Sequence, residues 1–212
     1  KNPRIGVIGS HPTELPKYRG RAPIPWTIIK ELKNSALTFF YIQEGVDNGD
    51  IVDQQTFEIE NFDDALSIYN KITDLGKEML EKNLSLLRLG QVIRKKQNED
   101  EFIENWPKRS PSDGEINWKS NAKEIDTLIR ATTYPYPGAF TFLKNKKIIV
   151  WKSTFDESEN FESGKIISVA NGMPTIGTTK GTISFEKISV ENEINESEKG
   201  IFSSSDIGMK IG

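Results

Sequence analysis

The chain has 212 residues, with 28 Lys and Arg against 31 Asp and Glu, one histidine and no cysteine. These numbers exclude disulfides, thiolate metal sites and a zinc site of several histidines. A net charge of −3 argues against a nucleic-acid binder that works through bulk charge. No stretch approaches the ~18 apolar residues that cross a bilayer. No apolar signal core follows Lys1, and the lack of cysteine suits a cytoplasmic protein.

Residues 4–8, with the run Ile5-Gly6-Val7-Ile8, read as a short buried strand. Residues 9–21 hold two prolines and two glycines, which exclude a regular helix and predict a loop. Ala22 to Leu32 reads as a helix with Pro23 and Pro25 in its first turn, where a missing N–H does little harm. Leu37-Thr38-Phe39-Phe40-Tyr41-Ile42 is a β-branched and aromatic run that predicts a buried strand. The turn-rich segment from Glu44 to Asp50 follows, then a strand over 51–59. Asp63 or Asp64 can cap a long helix on which Leu66, Tyr69, Ile72, Leu75, Met79, Leu84 and Leu87 recur near a 3.6-residue period, and Gly90 stands at its end. This order predicts an α/β unit with parallel strands.

The character changes near Trp106-Pro107. Asn121 with Glu124 predicts a capped helix whose Ile125, Leu128 and Ile129 share a face. Short strands are expected at 139–143, 147–152, 164–170, 174–178 and 182–188, a spacing that suggests a small β-barrel or sandwich. Residues 190–212 read as a loose polar tail. The boundary near 107 predicts domains over 1–107 and 108–212. Residues 154–212 hold 5 basic against 10 acidic side chains, a balance that repels phosphate. Lys144, Lys146 and Lys147 form a local basic cluster.

His11 lies just past the first strand and Asp47 just past the next long one, at the edge of an open α/β sheet where ligands bind. If those strands are neighbours, both side chains face one rim and meet. A carboxylate on one imidazole nitrogen would fix the tautomer and raise the ring's basicity, leaving the other nitrogen for proton transfer. Taken alone, a loop histidine is more often structural, and Asp-Asn-Gly-Asp is more often a turn. Arg19 and Arg21 are either solvated charges or ligands for a carboxylate or phosphate. Tyr18 and Trp26 read as packing residues. No phosphate loop, dinucleotide fingerprint or nucleophile elbow is present. Local chemistry therefore offers an acid–base pair and an anion site, without naming a reaction.

The run from His11 through Leu15-Pro16 and Arg19-Gly20-Arg21 to Trp26, with Gly45-Val-Asp-Asn-Gly-Asp50 downstream and Asp47 36 positions on from the histidine, resembles the folate-dependent formyltransferases. That family includes methionyl-tRNA formyltransferase and the sugar-amine N-formyltransferases. Arg109-Ser-Pro-Ser-Asp-Gly-Glu-Ile-Asn-Trp118 and Tyr136-Pro-Gly-Ala-Phe140 are similar to its C-terminal domain. Several stretches look closest to the domain that formylates UDP-4-amino-arabinose. The resemblance implies an α/β fold: the C-terminal half of a Rossmann-like formyltransferase domain, followed by a small OB-like β-barrel domain. It implies 10-formyltetrahydrofolate as co-substrate and no metal. It matches His11 to the family's proton-handling histidine and Asp47 to its supporting aspartate. It matches Arg21, Thr13, Leu15, Pro16, Gln43, Glu44, Gly45, Val46 and Asp47 to positions lining the folate site.

Two departures stand out. The family's asparagine two residues before the histidine is Gly9 here. That amide helps hold an oxyanion, and losing one such donor costs about 10²–10³ in rate. A Gly9 N–H, a water or the Ser10 hydroxyl could replace it. The family's N-terminal half-domain has no counterpart before Lys1, so the chain is expected to be a fragment with an exposed sheet edge and poor folate affinity. The expected reaction is formyl transfer to a primary amine of a small molecule, a nucleotide-linked amino sugar before methionyl-tRNA. Formyltetrahydrofolate hydrolysis and an inactive folate-binding remnant are the alternatives. Oligomeric state is not indicated.

Overall fold

The computed structural model describes residues 6–159, 161–191 and 201–212. The chain divides into two compact units, one up to Arg109 and one from Ser110. Among the described residues no helix is long and apolar enough to cross a membrane.

In the first unit, β1 (Ile8–His11), β3 (Asn34–Tyr41) and β4 (Ile51–Glu58) form a sheet in the order β1-β3-β4. Both pairings are antiparallel, so the expected parallel sheet is not formed by these strands. For β3 and β4 the reason lies in the connection. Residues 42–50 are too few for a parallel crossover, which takes a dozen or more. The helix between β1 and β3, α1 (Pro23–Ile29), has only seven residues. It begins at Pro23, one residue after the expected Ala22, and stops before Leu32. The parallel strand pair of this unit joins β2 (Tyr18–Gly20) to β5 (Glu104–Trp106). The first strand also sits later than expected. It starts at Ile8 and includes His11, while residues 4 and 5 lie outside the described segment.

The long helix α2 (Ala65–Leu89) starts at Asp64, whose side chain accepts from the Ser67 N–H in a capping box, and ends at Gly90 in the left-handed conformation. Its buried face is Ala65, Ile68, Met79 and Asn83, whereas Leu66, Tyr69 and Leu84 are exposed. The helical period is thus as expected, with the buried stripe displaced around the axis.

The second unit carries a five-stranded antiparallel sheet, β6 (Ala139–Leu143), β7 (Lys146–Asp156), β10 (Thr182–Val190), β9 (Met173–Gly177) and β8 (Ile166–Ala170), in that spatial order. Helix α3 (Ala122–Thr132) has the expected Asn121–Glu124 capping box and buries Ile125 and Ile129 against this sheet. No strand pairing among the described residues joins β6 to β8, so no closed barrel is formed.

The expected loose tail is partly a packed element. Residues 192–200 lie outside the described segments, but Phe202 and Ile211 are buried in the core of this unit. The Gly208 N–H donates to the Ile166 carbonyl at 2.8 Å, and the Gly212 N–H to the Phe142 carbonyl at 3.0 Å. Two large apolar side chains within a polar stretch outweigh its average composition. Phe202→Ala is therefore expected to lower the unfolding free energy by about 3 kcal/mol in urea denaturation. A loss below about 1 kcal/mol would show that the segment contributes little to the core.

Candidate active site

The loop from Pro12 to Lys17 is tied to the sheet by side chains rather than by regular structure. The Thr38 hydroxyl donates to the Thr13 carbonyl at 2.7 Å, and Gln54 Nε2 donates to the Leu15 carbonyl at 2.9 Å. Leu15 packs with Phe40 and Ile51. This brings β2 back over His11. The Tyr18 ring stacks on Trp106 with centroids 4.7 Å apart, which steadies β2 against β5. Gly20 holds φ +106°, and a Cβ there would lie 2.3 Å from the Trp106 carbonyl oxygen, so only glycine fits this close approach.

Two backbone groups of β2 take hold of two side chains. The Tyr18 carbonyl accepts from His11 Nε2 at 3.1 Å and from the Thr13 hydroxyl at 2.5 Å. The Gly20 N–H donates to Asp47 Oδ2 at 2.9 Å. Between them, His11 Nδ1 lies 3.6 Å from Asp47 Oδ2. His11 is buried, with 6 % of its surface exposed.

A carbonyl only accepts, so this geometry assigns the proton of the neutral ring to Nε2. The roles differ from the sequence-based expectation. The carbonyl, not the carboxylate, sets the tautomer, and the basic nitrogen is the one that faces Asp47. Nor do the two side chains meet because their strands share a rim. Antiparallel pairing of β1 and β3 sends the strand ends opposite ways, and β2 brings the pair together instead. Burial pulls the His11 pKa below the ordinary histidine value, while the Asp47 carboxylate and the Tyr18 carbonyl push it back up without cancelling the shift.

A buried imidazole kept neutral beside a carboxylate is a base ready to accept a proton at neutral pH. The chain matches two family descriptions, "Formyl transferase" over residues 1–84 and "Formyl transferase, C-terminal domain" over residues 108–204. The chain belongs to the formyltransferase family. It is 38% identical over 169 residues to the bifunctional polymyxin resistance protein ArnA of Wigglesworthia glossinidia brevipalpis, covering 78% of this chain and 24% of that one. It is 36% identical over 187 residues to a methionyl-tRNA formyltransferase of Alkaliphilus oremlandii, covering 88% of this chain and 60% of that one. Among solved structures it resembles WlaRD, a sugar 3N-formyl transferase crystallised in the presence of dTDP and 5-N-formyl-THF. That likeness has a TM-score of 0.64 and 22% identity, and it covers 89% of this chain and 66% of that one. The chain thus spans about a quarter to three fifths of the curated relatives it matches.

The other residues singled out from sequence fall into two groups. Thr13, Leu15 and Pro16 are buried inside the loop they build. Arg21, Gln43, Glu44, Gly45 and Val46 are exposed, the last four leading directly into Asp47. Arg19 is not available as an anion ligand. It is buried, with its guanidinium bonded to Glu99 and Gln97.

Gly9 lies on the same face of β1 as His11, and Ser10 on the other, so the Ser10 hydroxyl cannot stand in for an amide beside the histidine. The Ile42 N–H donates to the Val7 carbonyl, which makes Gly9–Phe40 the next hydrogen-bonded pair and commits the Gly9 N–H to the sheet. Of the substitutes expected from sequence, only a water remains at this position.

Tyr18, Gly20 and Gln97 escaped the sequence reading as site residues. The first two act through the backbone, which carries no residue identity.

The sign of the His11 shift sets a pH dependence. The unfolded chain takes up a proton near pH 6.5 while native His11 still resists it, so stability falls as pH drops through that value. Relative to His11→Gln, the native protein is expected to lose unfolding free energy between pH 7 and pH 5 in urea denaturation. A relative gain at pH 5 would mean that the folded protein favours the imidazolium.

Proposed function

We propose that this chain carries the proton-handling part of a site that transfers a formyl group from 10-formyltetrahydrofolate to a primary amine. The contact between His11 Nδ1 and Asp47 Oδ2, with both groups held by β2, is the observation that carries this reading. An amine attacks a carbonyl only without its extra proton. His11 Nδ1 accepts that proton, and Asp47 holds the imidazolium that results. The positive ring then favours negative charge on the formyl oxygen and returns its proton to the leaving nitrogen.

The folate supplies the activated formyl group when bound. The exposed segment Gln43–Val46 beside Asp47 fits a role in holding it, as does the buried Asn48 Oδ1, which has no hydrogen-bond partner. Arg21, exposed next to the Gly20 N–H, offers a guanidinium to the folate's carboxylates. Thr13, Leu15 and Pro16 serve this site by shaping the loop that carries Tyr18.

For the acceptor we infer a small amine, a nucleotide-linked amino sugar in first place, over initiator methionyl-tRNA. Two lysines of the cluster that could draw RNA are paired with carboxylates. Lys144 is 2.5 Å from Asp206, and Lys147 is 2.6 Å from Glu191. Lys146 also has a partner. The relatives include both a tRNA enzyme and a sugar enzyme, so the assay carries both acceptors.

With 10-formyltetrahydrofolate as donor, formyl transfer to a nucleotide-linked amino sugar is expected, with little change between low and high salt. His11→Ala and Asp47→Ala should each lower turnover by about 10²-fold or more. Preference for methionyl-tRNA with steep salt dependence would overturn the acceptor assignment. Formate release without any acceptor would make the protein a hydrolase.

Gly9→Asn gives a second check. A Cβ at Gly9 approaches the exposed Ile42 side chain at 3.3 Å, which can move aside. The added amide is expected to raise turnover by about tenfold or more if it recovers an oxyanion donor. Unchanged turnover would place oxyanion stabilisation elsewhere.

A further inference from the structure

Gln97 lies 50 positions from Asp47 and spends its whole amide on the surroundings of the His–Asp pair. Its Nε2 donates to the Asp47 carbonyl at 2.7 Å and to the Gly49 carbonyl at 2.8 Å. Its Oε1 accepts from Arg19 Nε at 3.1 Å and from Arg19 Nη2 at 2.7 Å. Arg19 is in turn fixed by two bonds to Glu99, at 2.6 and 3.1 Å, and lies 5.3 Å from the centre of the Phe102 ring. On either side of Arg19 in β2 stand the Tyr18 carbonyl that holds His11 and the Gly20 N–H that holds Asp47.

From this geometry we propose that Gln97 is a positioning residue whose amide locks the Asp47 turn to β2 and so keeps the carboxylate facing His11. Three features support it. Asp47 has φ +47°, in the left-handed region that residues other than glycine adopt uncommonly and aspartate more readily than most, so bonds to its turn help to hold it there. Those bonds come from Gln97 and Gly20. Gln97 is itself placed by the antiparallel bridge two residues earlier, where Ile51 and Lys95 exchange backbone bonds of 2.7 and 2.9 Å. Lastly, only a primary amide does both jobs. A carboxylate has no hydrogen for the two carbonyls, and an ammonium has no lone pair for Arg19.

The inference rests on the reading of Asp47 as the partner of His11, and its test separates the two. His11 is the only histidine in the chain, so its ring resonances in an NMR titration are unambiguous. The groups that bear on its charge are the Asp47 carboxylate from the turn and the Tyr18 carbonyl from β2, with Arg19 and Glu99 beyond Gln97. Asp47→Asn is the reference and should lower the titration midpoint by about one pH unit. Gln97→Met, uncharged and of similar length, should move the midpoint the same way, and the double variant no further than Asp47→Asn alone.

A midpoint unchanged by Gln97→Met while Asp47→Asn shifts it would overturn the positioning role and leave the pair intact. A midpoint unchanged by Asp47→Asn would instead remove the pair itself. Additive shifts in the double variant would also overturn the inference, because Gln97 would then act by another route. If Gln97→Met does not fold, Gln97→Asn keeps the amide one methylene short and carries the same readout, with loss of hydrogen-exchange protection at the Gly20 N–H expected alongside.

Discussion

Three residues of backbone govern this site. β2 offers a carbonyl at Tyr18 and an N–H at Gly20, and these reach opposite members of the His11–Asp47 pair. A peptide carbonyl and a peptide N–H cannot change charge or rotamer, so they are steadier anchors than side chains would be. Their own position depends on pairing with β5, on the Tyr18–Trp106 stack and on the absence of a side chain at Gly20. The separation of imidazole and carboxylate is therefore set by elements from three places along the chain: residues 11–20, 47–49 and 97–106.

The electrostatics follow from that arrangement. A buried imidazole beside a carboxylate is pulled two ways, toward neutrality by desolvation and toward charge by its neighbour. Desolvation prevails in His11, which leaves it neutral and able to accept a proton, with a carboxylate in place to stabilise the ion once formed. The second unit contributes a different kind of information. Its Lys144, Lys147 and Lys152 each lie within 2.8 Å of a carboxylate, so positive charge at these positions is locally balanced.

Much of this was legible in the sequence where residue type alone decides. The capping boxes at Asp64 and Asn121, the glycine after α2 and the strands of the second unit lie where their local signals place them. The nomination of His11 and Asp47 came from chain position and from family resemblance. The strand directions were not legible, because apolar runs such as Leu37–Ile42 look alike in parallel and antiparallel sheets. The fate of residues 201–212 was hidden by averaging, since Phe202 and Ile211 are few among polar neighbours but both are buried. Tyr18 and Gly20 were invisible as site residues because any residue supplies a carbonyl. Gln97 was invisible because nothing in one sequence links an amide to a turn 50 positions away.

In this geometry the Tyr18 carbonyl, not Asp47, takes the proton of the neutral imidazole and leaves Nδ1 bare. The nitrogen-15 chemical shifts of the His11 ring, measured on the neutral protein, identify which nitrogen is protonated. The structure predicts a proton on Nε2 and a bare Nδ1. A proton on Nδ1 would contradict it, since the ring would then be donating to the carboxylate and its basic nitrogen would point at the β2 backbone.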